Sequence, residues 1–228
     1  MMVMKKATLL LLVALNLEFV SAQDTPLEIP GTLFKIAPQN FIDNTLKVGA
    51  EAFSKNKKYS YTVYFSASYS YTESNQNNYY YPAGFGGEFQ FRKYIAPLSL
   101  NTTRRGKEYL QGIYVGLYAQ GGKYETQDSQ LAFIFDPNTS VQTPVTYTKQ
   151  EDITSIGGGF TIGFHRTLWK VLYFDVYLGG GLQGGDIIKT YTPDIPPEPY
   201  GFYEYYDIFD PRYHGVMPKF GLHIGVML

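Results

Sequence analysis

From about residue 30 onward the chain alternates apolar and polar positions with a period of two. No stretch carries a convincing helical repeat. Strict alternation is the mark of a strand whose two faces meet different surroundings. Residues 58–71 are the clearest case. One face holds Tyr59, Tyr61, Val63, Phe65, Ala67, Tyr69 and Tyr71; the other holds Lys58, Ser60, Thr62, Tyr64, Ser66, Ser68 and Ser70. Similar ribbons run over 46–52, 84–92, 112–120, 156–165, 172–183 and 220–228, and a shorter one over 33–37 contributes Phe34 and Ile36. Eight strands are therefore expected.

The two faces differ in an informative way. The apolar faces carry no charge at all. The opposite faces carry Lys47, Glu51, Lys58, Glu88, Arg92 and Asp175, separated mostly by Ser, Gly, Thr and Tyr. A soluble barrel or sandwich hides its apolar face and covers the other with Lys and Glu. Small residues with a few charges suit a narrow interior instead, with the apolar face outward against lipid. Strands in a bilayer must close into a ring, because no water satisfies an open edge. Each needs about 9–11 residues to cross, and most of these ribbons are that long. The expectation is all-β: an eight-stranded antiparallel up-and-down transmembrane β-barrel. A soluble secreted β-barrel is the competing fold.

The connections alternate short and long, as they do in transmembrane barrels with short periplasmic turns and long extracellular loops. Residues 54–57 and 165–170 read as short, and 96–107 as moderate. The stretches 39–44, 72–82, 125–151 and 190–215 read as the outward loops. The single Trp, Trp169, falls in a tight turn, where an aromatic belt residue fits.

Composition narrows the reading. The 228 residues include 23 Gly, 13 Pro and 22 Tyr, and aromatics make up 17%. That mixture favours strands and turns. The absence of Cys excludes a disulfide scaffold, a thiolate metal site and a cysteine nucleophile. With 19 basic and 20 acidic residues the chain lacks the surplus of a nucleic-acid binder. Residues 1–22 read as a secretory signal peptide: Lys5 and Lys6, an apolar run over 7–17, then Val20-Ser21-Ala22 before a cleavage site. Residues 23–32 form a periplasmic lead and 33–228 the barrel.

The segments FGGEFQFRKYIAP (85–97), GIYVGLYAQGG (112–122) and IGGGFTIGFHR (156–166) resemble the small eight-stranded outer-membrane barrels of the OmpA-transmembrane-domain and OmpX type, in particular their uncharacterised Bacteroidetes-type branch. The resemblance spans roughly 33–228 and rests on patterns rather than catalytic signatures. It implies an outer-membrane location, partnership with the bilayer and with the outer-membrane assembly machinery, and no enzymatic chemistry. Such proteins usually end in an aromatic residue; this chain ends in Leu228.

Candidate chemistry is sparse. The glycine clusters at 157–159, 179–181 and 184–185 lack the Lys-Ser/Thr and the helix of a phosphate loop, and glycine in strands accommodates curvature and crowding. No cofactor or metal is expected. His165 and His223 share the inward parity and His214 lies in a loop, so a three-His zinc site does not fit. Lys47, Glu51, Glu88, Arg92 and Asp175 also share that parity and are expected to form a paired charge network that fills the lumen, since an unpaired charge there is costly. In 190–215, Tyr203, Tyr205, Tyr206, Asp207 and Asp210 stand out as candidate contacts for an unidentified surface ligand, because Tyr suits recognition surfaces. The leading functional reading is a structural or surface-interaction barrel with a sealed lumen. The alternative is an outer-leaflet lipid or glycan hydrolase using His165 or His223 with a lumen carboxylate. A small channel is the third.

Overall fold

The computed structural model describes residues 32–69, 82–102, 108–136, 141–168, 172–192, 208 and 210–227. Eight strands form one ring in chain order: β1 (Thr32–Ile36), β2 (Thr45–Phe53), β3 (Tyr59–Ser68), β4 (Ala83–Thr102), β5 (Glu108–Asp136), β6 (Val141–Leu168), β7 (Leu172–Thr192) and β8 (Gly215–Met227). Every neighbour is antiparallel, and β1 closes the ring by pairing residues 33–36 with 224–227 of β8. A single 3-10 turn, Pro38–Phe41, follows β1. The protein is thus an all-β, eight-stranded, up-and-down closed barrel.

Alternation sets the two surfaces. Tyr61, Val63 and Phe65 point outward on β3, while Ser60, Thr62 and Tyr64 point into the ring and are buried. The same division holds for Phe85 and Phe89 against Glu88 and Gln90 on β4, and for Leu117 against Tyr114 and Tyr118 on β5. Outward Leu117 and Phe160 are 64% and 63% exposed, whereas inward Glu51 and Arg92 are 0% exposed. The barrel therefore wears its apolar residues outside and keeps its polar residues inside. Among the described residues the interior is filled by Tyr, Gln, Thr, His and ionised side chains.

The connections between β1 and β2, β3 and β4, β5 and β6, and β7 and β8 open at one end of the ring; the other three open at the opposite end. Strand lengths correct the sequence expectation. Residues 125–151 are not a long loop, because β5 and β6 run on as a ladder from 111–136 against 141–166 and leave only 137–140 between them. The stretch 96–107 is likewise mostly strand, since β4 continues through register shifts to Thr102. β7 reaches Thr192, so the last connection begins at 193 rather than 190. The physical reason is that these extensions lie beyond the apolar belt. There Glu125 faces Asp152, Gln127 faces Gln150 and Asp128 faces Lys149. Over 125–130 both faces are polar, and 131–135 (LAFIF) is apolar without alternation, so no period-two signal remains to read, while the backbone ladder still holds the strands together. Residues 1–31, with the expected signal peptide and most of the lead, lie outside the described residues; Thr32, assigned to the lead, opens β1.

Candidate functional site: the charged lumen

Four strands deliver four charged side chains to one level of the interior. Lys35 comes from β1, Glu51 from β2, Arg92 from β4 and Asp175 from β7, all with fully buried side chains. Lys35 pairs with Glu51 and lies 3.2 Å from Asp175. Arg92 Nη1 donates to Asp175 Oδ2 at 2.7 Å and lies 3.5 Å from Glu51. Two cations meet two carboxylates, so the cluster is neutral. Surrounding groups satisfy the remaining lone pairs. Tyr114 Oη donates to Asp175 at 2.8 Å, Tyr94 Oη donates to Glu51 at 3.0 Å, and Ser60 Oγ also donates to Glu51. The Arg92 guanidinium stacks over the Tyr114 ring, 4.3 Å from its centroid. Burial of charge is tolerable only with this density of partners.

A second cluster lies nearer the long-loop end. Glu88 accepts from Lys47 at 2.6 Å and from Lys219 at 2.8 Å, and Gln90 bridges it to Arg92. Lys219 also reaches Gln120 at 2.9 Å and sits 3.6 Å over the Tyr118 ring. A third cluster closes the mouth. Arg212, from the connection before β8, donates to Asp210 at 2.7 and 2.9 Å and to Glu151 of β6 at 3.0 Å. Lys149 lies 2.8 Å from the same Glu151. Burial pulls the Arg212 guanidinium down, but the Asp210 and Glu151 carboxylates outweigh it and hold its pKa above the ordinary value. Gln183 Nε2 donates to the Asp210 carbonyl at 3.0 Å, and Gln183 Oε1 accepts from Gln120 Nε2 at 3.3 Å. Hydrogen bonds thus run from the central cluster to the mouth without a break.

All five residues expected in the lumen are there, and the structure brings Lys47 to Glu88 and Arg92 to both Glu51 and Asp175. Two further members, Lys35 and Lys219, did not stand out in the sequence. Lys35 sits between outward Phe34 and Ile36, and Lys219 precedes the ribbon that begins at Phe220; inward parity would have flagged both. Of the loop candidates, Asp210 is buried and salt-bridged to Arg212, so it fastens the mouth rather than facing a ligand. Tyr203, Tyr205, Tyr206 and Asp207 lie outside the described residues.

The histidines belong to the same interior. His223 is sandwiched between Tyr64 and Tyr177 at 4.7 and 4.8 Å, and its Nδ1 lies 3.1 Å from Tyr64 Oη and 3.2 Å from Asp175. His165 Nδ1 lies 3.2 Å from both Tyr94 Oη and Tyr173 Oη. Neither imidazole meets a serine hydroxyl among the described residues, and both rings are 0% exposed. What this arrangement does chemically is neutralise and fill.

The glycines test how tightly it is filled. A Cβ on inward Gly163 would strike the Tyr114 ring, which is itself buried against Arg92. Gly163→Ala is expected to cost about 1–3 kcal/mol by overpacking. A Cβ on outward Gly184 meets nothing within 4 Å, so Gly184→Ala is expected to be neutral or to gain about 0.5 kcal/mol. Urea unfolding of the two variants reads the contrast, and equal effects would contradict a filled interior.

Fold and interior together define a closed eight-stranded antiparallel barrel with an apolar exterior and an ion-paired core. No protein-family model matches the chain, and neither a curated protein nor a solved structure is detectably similar to it.

Proposed function

We propose that the protein is an integral outer-membrane β-barrel with a structural or surface-contact role, its lumen sealed by its own side chains. The observation that carries this reading is the inversion of polarity. Val63, Phe65, Phe89, Leu117, Phe160 and Leu178 stand exposed around the ring, while Lys35, Glu51, Arg92 and Asp175 are buried in its centre. In water that exterior would be a very large apolar surface, far beyond the few hundred Å² that soluble monomers expose. In a bilayer it is the expected belt. Ring closure supports the same reading, because no backbone edge within the belt is left for lipid to desolvate.

The filled, ion-paired interior argues for a plug rather than a pore, and the burial of both imidazoles leaves the hydrolase reading without a reachable base. Contact with other molecules falls to the end where β5, β6 and β7 extend beyond the belt. Folding from urea into lipid vesicles tests the assignment. The expected product migrates differently on a gel before and after boiling, and it gives no stable current in a planar bilayer. A chain that stays monomeric and folded in plain buffer would overturn the membrane assignment. A steady open conductance would overturn the sealed lumen.

A further inference from the structure

The lumen is closed twice, and the two closures are built differently. In the central cluster every charged group rides on a strand: Lys35 on β1, Glu51 on β2, Arg92 on β4 and Asp175 on β7. Those pairs cannot part unless the ladder shifts. At the mouth the guanidinium rides on an arm outside the ladder, since 210–214 belongs to no strand and β8 begins at Gly215. The arm is stiff within itself. The Asp210 carbonyl accepts the Tyr213 amide at 3.0 Å, Asp210 Oδ1 accepts the Arg212 amide at 2.8 Å, and Pro211 fixes the backbone between them. Two ties hold it down: Arg212 Nη1 donates to Glu151 of β6 at 3.0 Å, and Gln183 of β7 donates to the Asp210 carbonyl at 3.0 Å. Where the arm joins β8 stands Gly215, with a φ of +146° that side chains disfavour. A stiff arm, polar ties and a glycine joint are the parts of a hinge.

Below the arm the inward side chains are short. One residue per strand lies in register from β3 to β7: Ser66, Gly86, Gly122, Ser155 and Gly185. Tyr124 lays its hydroxyl toward Gly86 and Gly122. On β6 and β7 nothing longer than the Ser155 hydroxyl springs from this level. One inward position further down, Glu88 and Gln120 reach across to Lys219 and fill the ring again. Solvent contact follows the same division. The Arg212 and Lys47 side chains each keep 12% of their exposure, and the Arg92 side chain keeps none. The interior therefore has a shallow outer compartment above Glu88, set apart from the dry centre.

We infer that residues 210–213 are a hinged clasp pivoting at Gly215, and that its release from Glu151 opens a blind vestibule above Glu88 to small polar solutes while the central cluster stays shut. The inference rests on the sealed-barrel reading above. The chain has no cysteine, so single-site labelling is clean. S155C places a thiol in the vestibule. T161C places one in the centre, because Thr161 and Arg92 share a level through Gly116. Each is folded in detergent micelles and treated with iodoacetamide, a small neutral reagent. T161C is expected to stay unreactive. S155C is expected to react slowly, and adding R212Q or E151Q speeds it at least about tenfold, the scale of one lost charge-assisted hydrogen bond. The two variants cut the clasp from opposite sides and change the local charge in opposite senses, so a shared acceleration reads opening rather than the field on the thiol. Equal S155C rates with and without the clasp, whether fast or slow throughout, would overturn the inference. So would T161C reacting in step with S155C. Heat-dependent gel migration reads whether each variant is folded. A chain that shows no such shift even without R212Q or E151Q would take down the barrel reading and the clasp with it; a heat-shifted barrel with equal rates removes the clasp alone.

Discussion

Asp175→Ala is expected to destabilise the barrel by about 3–5 kcal/mol, the cost of leaving buried charge without its partner. Asp175 meets four side chains in the interior: Arg92, Lys35, Tyr114 and His223. Its removal strands Arg92 Nη1, held at 2.7 Å, the Lys35 ammonium at 3.2 Å, and Tyr114 Oη at 2.8 Å. Two cations are then left to share Glu51. Neither can reach water, because both side chains are fully buried. Asp175→Asn keeps an acceptor for Tyr114 and loses only the charge, so it should cost less than the alanine. The measurement is urea unfolding of the vesicle-inserted protein, read as a shift in midpoint with the slope unchanged. A loss below about 1 kcal/mol, the scale of a surface pair, would mean that the central cluster does not hold the ring together.

Val63→Arg addresses the exterior and is expected to cost about 2–4 kcal/mol, the penalty for arginine near a bilayer midplane. Val63 lies in the middle of β3, is 58% exposed, and has Ala50 and Phe89 as its ladder neighbours. Nothing in the ring sterically opposes a longer side chain there. A soluble barrel would accept an exposed arginine at almost no cost, so the penalty comes from lipid or not at all. Ser66→Val on the inward face is the matched control. It removes the hydrogen bond to Tyr124 and should cost about 1 kcal/mol. If the serine variant proved the more damaged of the two, the assignment of faces would be inverted.

The ring was legible because one backbone rule produced it. With Val63 and Phe65 on one side of a strand, Tyr64 and Ser66 must lie on the other, and the same parity placed Glu51, Glu88, Arg92 and Asp175 inside. Partner choice was not legible. Arg92 and Asp175 are 83 positions apart in the chain, and their meeting depends on how the ring staggers its strands as it closes. Lys35 was hidden in a strand recognised only by Phe34 and Ile36. Lys219 was hidden because Pro218 obscured the start of β8. The ladder over 125–151 is hidden for a different reason: 125–130 is polar on both faces and 131–135 is apolar on both, so neither carries the alternation that marks a strand. Asp210 stands out in the sequence as a candidate ligand contact, and nothing in the chain's pattern signals that Arg212 beside it joins it to Glu151.

The ring is fastened unevenly. β5 and β6 are zipped together along 111–136 and 141–166, a separation of few residues at the tip, whereas the seam joins only 33–36 to 224–227 across nearly the whole chain. Contacts between distant positions form late, since the loop entropy must be met first. Assembly should therefore grow outward from the central hairpin and clasp at β1 and β8 last, and the same short clasp is where the finished cylinder would first come undone.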